Sequence, residues 1–214
     1  MKNTFSMSDL GLLSYYLGIE VKQNSREISL CQPAYAVKLL EKCGMSDWYK
    51  TQVPMDQHHK LSKRSSNPPV DTTMYRSVVG SLRYLVHTRA DLAYSVGIVS
   101  RFMENPTTEH MSVVNHILGY VKGTINLGCT YRKGKKGLVL CGYSDSDMAG
   151  DVDDSKSTTG MVFYLGPNLI SWNSHKQKVV ALSSCEAEYI AASMTACQAV
   201  WLRRLLAILA KREV

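Results

Sequence analysis

Three neighbouring stretches decide the fold: LCGYSDSD (residues 140–147), STTGMVFYLGPNLISWNS (157–174) and ALSSCEAEY (181–189). The first has strand-forming residues that end in acids. The second is two β-branched and aromatic runs around Gly166-Pro167-Asn168, the pattern of a hairpin. The third follows KVVALSS and opens a periodic run that predicts a helix from about Ser184 to Ala210. Strand, hairpin and long helix in that order predict an α+β or α/β fold.

The opening of that helix carries two glutamates. Ser183 and Glu186 have capping-box spacing, which gives Glu186 a structural task. Glu188 lies roughly 200° further round the helix and is left over. On the predicted strand, Cys141, Tyr143 and Asp145 point to one side and Ser144 to the other. A carboxylate at the carboxyl end of a strand, facing one on the first turn of a packed helix, suits magnesium. That ion takes one or two carboxylates with water and substrate phosphate, and a pair of ions can drive phosphodiester cleavage. Asp145 and Glu188 are therefore the candidate catalytic and metal-binding pair. No strand–elbow–helix glycine pattern surrounds Ser183 or Ser184, which argues against a serine hydrolase using His175.

Toward the N-terminus, LSYYLGIEVKQNSREISLCQ (13–32) reads as two strands around a turn at Gln23–Arg26. PAYAVKLLEKCGM (33–45) then reads as a helix with Pro33 at its first position and Gly44 past its end. Residues 53–72 are polar and proline-bearing, a linker in which adjacent His58 and His59 have no partner at metal-ligand spacing. Three helices follow, with stripes Tyr75/Val78/Val79/Leu82/Val86, Leu92/Val96/Val99/Met103 and Val114/Ile117/Leu118/Val121. Asp71 or Thr72 caps the first, Asn105-Pro106 stops the second, and Gly123 ends the third. Between the stripes, Arg76, Arg83, Arg101 and Lys122 are expected to face outward, where a nucleic-acid backbone or plain solvent would meet them.

The net charge of +7 is unevenly spread. Lys and Arg outnumber Asp and Glu by 18 to 10 in residues 1–137 and fall behind by 7 to 8 in 138–214. A basic first part suits a polyanionic partner. The six cysteines form no C-x-x-C pair and sit in apolar segments, as buried free thiols would. No apolar run is long enough to span a membrane and no signal-peptide core opens the chain. The expectation is an intracellular protein, cytoplasmic or nuclear, with no membrane partner.

FSMSDLGLLSYYLGIEVKQ (5–23), ISLCQPAYAVKLLEKCGM (28–45), the run from Tyr75 to His110, HILGYVKGT (116–124), the run from Gly142 to Ala192, and VWLRRLL (200–206) resemble the Pol polyprotein of copia-type LTR retrotransposons over nearly the whole chain. The resemblance implies the end of a reverse-transcriptase palm and thumb region in 1–52, a linker in 53–72 and a helical connection in 73–136. For 137–214 it implies the N-terminal half of an RNase H-like domain, a three-stranded antiparallel start of a mixed sheet plus the long helix. It implies a parent activity of RNA-templated DNA synthesis and Mg2+-dependent, two-metal cleavage of RNA in RNA–DNA hybrids. By motif, Asp145 and Glu188 are the first two of four acidic ligands, and Gln177 and Ser184 lie where the RNA strand approaches. The other two acids and the polymerase Tyr-x-Asp-Asp motif are expected outside residues 1–214. Met148, Ser155 and Ala90 depart from the usual Trp, basic residue and Pro. The isolated chain is accordingly expected to be inactive. The alternative is a non-enzymatic remnant that binds nucleic acid through its basic helical surface. An open sheet edge, lacking its neighbour, is expected to invite self-association.

Overall fold

Short β-rich runs broken by polar turns build the first layer. In the computed structural model, which describes residues 11–45, 47–56, 60–134 and 139–210, β1 (Tyr15–Tyr16), β2 (Ile19–Gln23) and β3 (Glu27–Cys31) form an antiparallel meander. Asn24 makes the turn, its Oδ1 accepting from Arg26 N at 2.8 Å and Glu27 N at 2.9 Å. A fourth strand, β4 (Gly128–Arg132), pairs with β3 and completes the order β1-β2-β3-β4. The sequence pattern, dominated there by helical stripes, did not reveal β4. Gly128 permits the pairing: a Cβ at that position would lie 2.2 Å from Leu30 O.

The helices are α1 (Pro33–Lys42), α2 (Thr72–Leu85), α3 (Ala93–Val99) and α4 (Thr108–Gly123). Pro33 stands in the first turn of α1, and Gly44 follows it at φ 66°. Asp71 caps α2 by accepting from Thr73 N at 2.8 Å. The second stripe is a broken helix: α3 is flanked by 3-10 turns at Ala90–Leu92 and Ser100–Phe102. One core joins all four helices through Leu39, Leu40, Tyr75, Leu82, Leu92, Val99, Ile117 and Leu118. Leu61, from the expected linker, is buried in it too. The β3–β4 pairing, Ser29 with Thr130, and the shared core bring α1 and the strands before it against α2–α4. Tyr75 is completely buried and donates to Val99 O at 2.9 Å, and burial pushes its phenol up.

The second sheet is β5 (Leu140–Ser146), β6 (Thr158–Leu165) and β7 (Asn168–Lys176), antiparallel in the order β5-β6-β7. Gly166, at φ 59°, turns the hairpin. Helix α5 (Ser184–Ala210) covers one face, where Met161, Phe163 and Leu202 form the core. Gly142 lets Phe163 lie against β5, since a Cβ there would come within 2.5 Å of the ring. The opposite face meets the helical body, and Trp172 Nε1 donates to Val86 O at 3.0 Å. The two sheets are tied by Asn168, whose amide accepts from Arg132 N at 2.8 Å and donates to Arg132 O at 2.9 Å. The chain is thus a mixed α/β structure with antiparallel sheets.

Candidate functional site

The two candidate carboxylates reach the same end of β5 by different routes. Register pairs Asp145 with Gly160 and Ser144 with Met161. Met161 packs toward α5, so Ser144 lies on the α5 face and Asp145 on the other, with Tyr143 and Trp172. The expectation that the Asp145 side of the strand faces the helix is corrected here. Glu188, on the second turn of α5, comes round the outer edge of β5, where Ser146 N donates to its Oε1 at 3.2 Å. That bond puts the Glu188 carboxylate beside the residue that follows Asp145. Among the described residues no three His, Cys, Asp or Glu side chains gather as a metal site. Asp147, two residues on, turns back to accept from Thr158 N at 2.6 Å.

Glu186 is structural, in a modified form of the expected cap. Glu186 N donates to Ser183 Oγ at 3.1 Å, as the capping box requires. The Glu186 carboxylate returns to Leu182 N at 2.7 Å, one residue before the expected Ser183 amide. Ser184 is exposed at the first position of α5. Gln177 is not on the surface: it is 2% exposed. Its Nε2 donates to Ser146 Oγ at 3.1 Å, Thr159 Oγ1 at 3.1 Å and Ala187 O at 3.0 Å. Gln177 therefore pins the ends of β5 and β6 to the residue preceding Glu188. Its buried Oε1 has no partner. Local sequence patterning gave no signal for this role, because the three partners lie 31, 18 and 10 residues away.

Asp145 lies in a cleft of about 580 Å3 between the sheet face and α3, with Ala90, Tyr94, Tyr143 and Trp172. Trp172, Asn173 and Ser174 also line a neighbouring cleft of about 520 Å3 with Arg83 and His87. Arg83 and Arg76 are exposed, as expected, though Arg76 Nε donates to Met103 O at 2.8 Å. Arg101 does not face outward. Its side chain is 14% exposed and donates to Asp151 Oδ2 at 3.2 Å and Thr158 Oγ1 at 2.9 Å. Asp151 also holds Lys176 at 2.6 Å, and Lys176 reaches Asp154 at 2.7 Å. Burial works to lower the Lys176 amine, but those two carboxylates outweigh it and hold it above its ordinary value. On the same loop Asp153 accepts from Ser62 Oγ at 2.6 Å and Lys63 N at 2.8 Å. The acidic loop is thus a clasp between the sheet and the helical body, with Ala149 and Ser155 held at φ 52° and 56°.

The cysteines divide differently from expectation. Cys31 and Cys129 are buried and Cys43 is half-buried, but Cys141, Cys185 and Cys197 are exposed; all are free thiols. His58 and His59 lie outside the described residues. No helix among the described residues is long and apolar enough to cross a membrane.

The profile of the family described as Reverse transcriptase (RNA-dependent DNA polymerase) matches residues 1–57. The Retrovirus-related Pol polyprotein from transposon TNT 1-94 of Nicotiana tabacum is 42% identical over 215 residues, covering 96% of this chain and 16% of that protein. The corresponding polyprotein from transposon RE1 of Arabidopsis thaliana is 43% identical over 206 residues, covering 96% and 14%. An uncharacterized mitochondrial protein of Arabidopsis thaliana is 39% identical over 201 residues, covering 94% of this chain and 83% of that protein. No solved structure matches.

Proposed function

Because the chain belongs to the copia-type family of retrotransposon Pol polyproteins, and spans only 16% and 14% of the first two it matches, we propose that it is a reverse-transcriptase and ribonuclease H segment whose parent activity cleaves RNA in RNA–DNA hybrids. In this reading residues 137–214 are the N-terminal half of the nuclease, and Asp145 and Glu188 are its metal ligands. The observation that supports it is the Ser146–Glu188 bond, which ties α5 to β5 beside Asp145. Both side chains offer hard oxygen donors of the kind magnesium takes. Bound there, the ion would supply charge stabilisation and an activated water for phosphodiester hydrolysis. The chain's own contribution is to hold the two carboxylates: Gln177 fixes the start of α5, and β6 fixes β5.

The isolated chain is read as inactive. Asp145 lies on the face of β5 away from α5 while Glu188 reaches the outer edge of that strand, and no three His, Cys, Asp or Glu side chains gather as a metal site among the described residues. Losing members of a unit that acts together costs orders of magnitude in rate. Incubating the purified chain with magnesium and an RNA–DNA hybrid is expected to leave the RNA intact. Manganese is expected to broaden the amide resonances of residues 145–146 and 188 selectively, and Asp145→Asn with Glu188→Gln to abolish the effect. Cleavage lost on Asp145→Asn would overturn the inactivity, and absence of local broadening would overturn the metal pair.

A second reading has one observation in its favour. The Arg83–His87 cleft shares Trp172, Asn173 and Ser174 with the cleft of Asp145, giving one path with a basic entrance and aromatic walls. A non-enzymatic segment could bind a nucleic-acid strand along it through Arg83 and, on the outer surface, Arg76. Such binding would weaken steeply with salt as counterions are released.

A further inference from the structure

The stretch from Lys60 to Val70, expected as part of a linker, is laid against the start of α4 and stitched to it. Val70 N donates to Pro106 O at 3.0 Å and Thr108 N to Pro68 O at 2.9 Å. The Glu109 carboxylate accepts from Ser65 Oγ at 2.8 Å and Asn67 Nδ2 at 3.2 Å. Ser62 is held differently, by a histidine. His110 is 0% exposed and lies flat against Phe102, the ring centroids 4.1 Å apart. Its Nδ1 accepts from Thr107 N at 3.0 Å, closing a capping box in which histidine takes the place of the usual Glu or Gln. Its Nε2 meets Ser62 O at 3.1 Å. A backbone N–H only donates and a carbonyl only accepts. Both contacts therefore demand the same species, the neutral ring with its proton on Nε2.

Ser62 is also where this stretch grips the second sheet. Ser62 Oγ and Lys63 N donate to the Asp153 carboxylate at 2.6 and 2.8 Å. Asp153 N in turn donates to Asp151 Oδ1 at 3.0 Å. The residue that His110 clamps is thus the residue that anchors the acidic loop. A proton on Nδ1 would end the bond from Thr107 N, strand that N–H in a residue 4% exposed, and leave a cation where water does not reach. Two carboxylates bear on the ring, Glu109 from its own helix and Asp153 from the acidic loop. Burial outweighs them and the Ser62 carbonyl, and it holds the ring below its ordinary value of 6.5. Lys63 and Arg64 are exposed and act on Asp153. On the facing 3-10 turn Phe102 is uncharged, and Arg101 is bound to Asp151.

We propose that His110 is an acid-operated latch: its neutral ring clamps Ser62 to the start of α4, and protonation drives the ring out, freeing residues 62–63 and the Asp153 anchor they hold. The contacts of Glu109 with Ser65 and Asn67, and the pairing of Pro68 and Val70 with Thr108 and Pro106, stay in place. So does the ion pair of Arg101 with Asp151. Acid thus loosens one corner of the junction between the helical body and the second sheet and leaves the other closed. The open, solvated ring titrates near 6.5, its ordinary value, and the closed ring below it. The latch is therefore shut above that value and opens as pH falls beneath it. It does not depend on whether Asp145 and Glu188 hold a metal.

Native-state hydrogen exchange on the full chain, corrected for the intrinsic chemical rate, tests this. Opening at Lys63 N and Thr107 N is expected to rise about tenfold per pH unit below the open-ring pKa until the closed-ring pKa is passed, with Val70 N unchanged. His110→Gln keeps an acceptor for Thr107 N and does not titrate, so this pH dependence should vanish. Nitrogen NMR of the ring tests the latch without depending on how His110→Gln folds. It is expected to show the Nε2–H tautomer at neutral pH, with proton uptake coinciding with the loss of Lys63 protection. Flat protection at both amides from roughly pH 7 to pH 5, the span in which an ordinary histidine charges, would overturn the proposal. So would an equal pH dependence in His110→Gln, or a ring that carries its proton on Nδ1 at neutral pH.

Discussion

Replacing Gln177 by leucine should loosen the candidate site without touching either carboxylate. Gln177 is 2% exposed, and its Nε2 serves Ser146, Thr159 and Ala187 at 3.0–3.1 Å. Three such bonds at about 1 kcal/mol each, less about 1 kcal/mol for the buried oxygen that leucine no longer strands, leave about 2 kcal/mol of lost stability. The three bonds are unequal. Ser146 Oγ already contacts Asp147 O at 2.9 Å and can adapt, whereas the Ala187 carbonyl is left with no side-chain donor. The first turn of α5 should therefore move most, and Glu188 with it. Urea unfolding at unchanged m-value is the assay. A chain of this length should also lose about 4–8 °C in Tm for that change. Hydrogen exchange at Ser146 N is expected to accelerate, because its acceptor is Glu188. A stability loss below about 0.5 kcal/mol, the range of an ordinary surface substitution, with unchanged protection at Ser146, would refute the idea that Gln177 positions α5.

Two further predictions concern buried charge. Asp151→Asn should cost about 2 kcal/mol, less than a fully buried pair would, because Lys176 is 25% exposed and keeps Asp154, and Arg101 keeps Thr158; a loss no larger than an exposed ion pair gives, read by urea unfolding, would contradict the clasp. Arg89 is buried and grips Asp91 at 2.7 Å, Thr124 O at 2.9 Å and the Tyr120 ring. Burial works to raise the Asp91 carboxyl, but its bonds to Arg89 outweigh that and hold it below its ordinary value of 3.8. A depressed acid stabilises the fold above its unfolded pKa and loses that contribution as pH falls through its folded pKa. The stability gap between wild type and Asp91→Asn should thus be full at neutral pH and close in acid below 3.8; a gap independent of pH in acid thermal scans would count against the pair.

Much of this architecture is local in origin, and the sequence alone determined it. The turn at Asn24, the first position and Gly44 end of α1, the Asp71 cap, the β6–β7 hairpin and the extent of α5 each depend on residues a few positions apart, so periodicity and capping chemistry suffice to find them. The structural task of Glu186 was legible for the same reason: Ser183 and Glu186 lie within one helical turn. Tertiary structure decided what depends on distant partners. Strand β4 exists because β3 offers an edge a hundred residues earlier. Gln177 and Arg101 look like surface polar residues until Ala187, Thr159, Asp151 and Thr158 close round them. Most of all, which face of β5 meets α5 was undetermined: strand alternation puts Asp145 and Ser144 on opposite sides but is blind to which side the helix will cover. Packing of Phe163 and Met161 against Leu202 makes that choice, because these two are the large side chains of β6 that are buried, and it sends Glu188 round the outer edge to reach the residue next to Asp145.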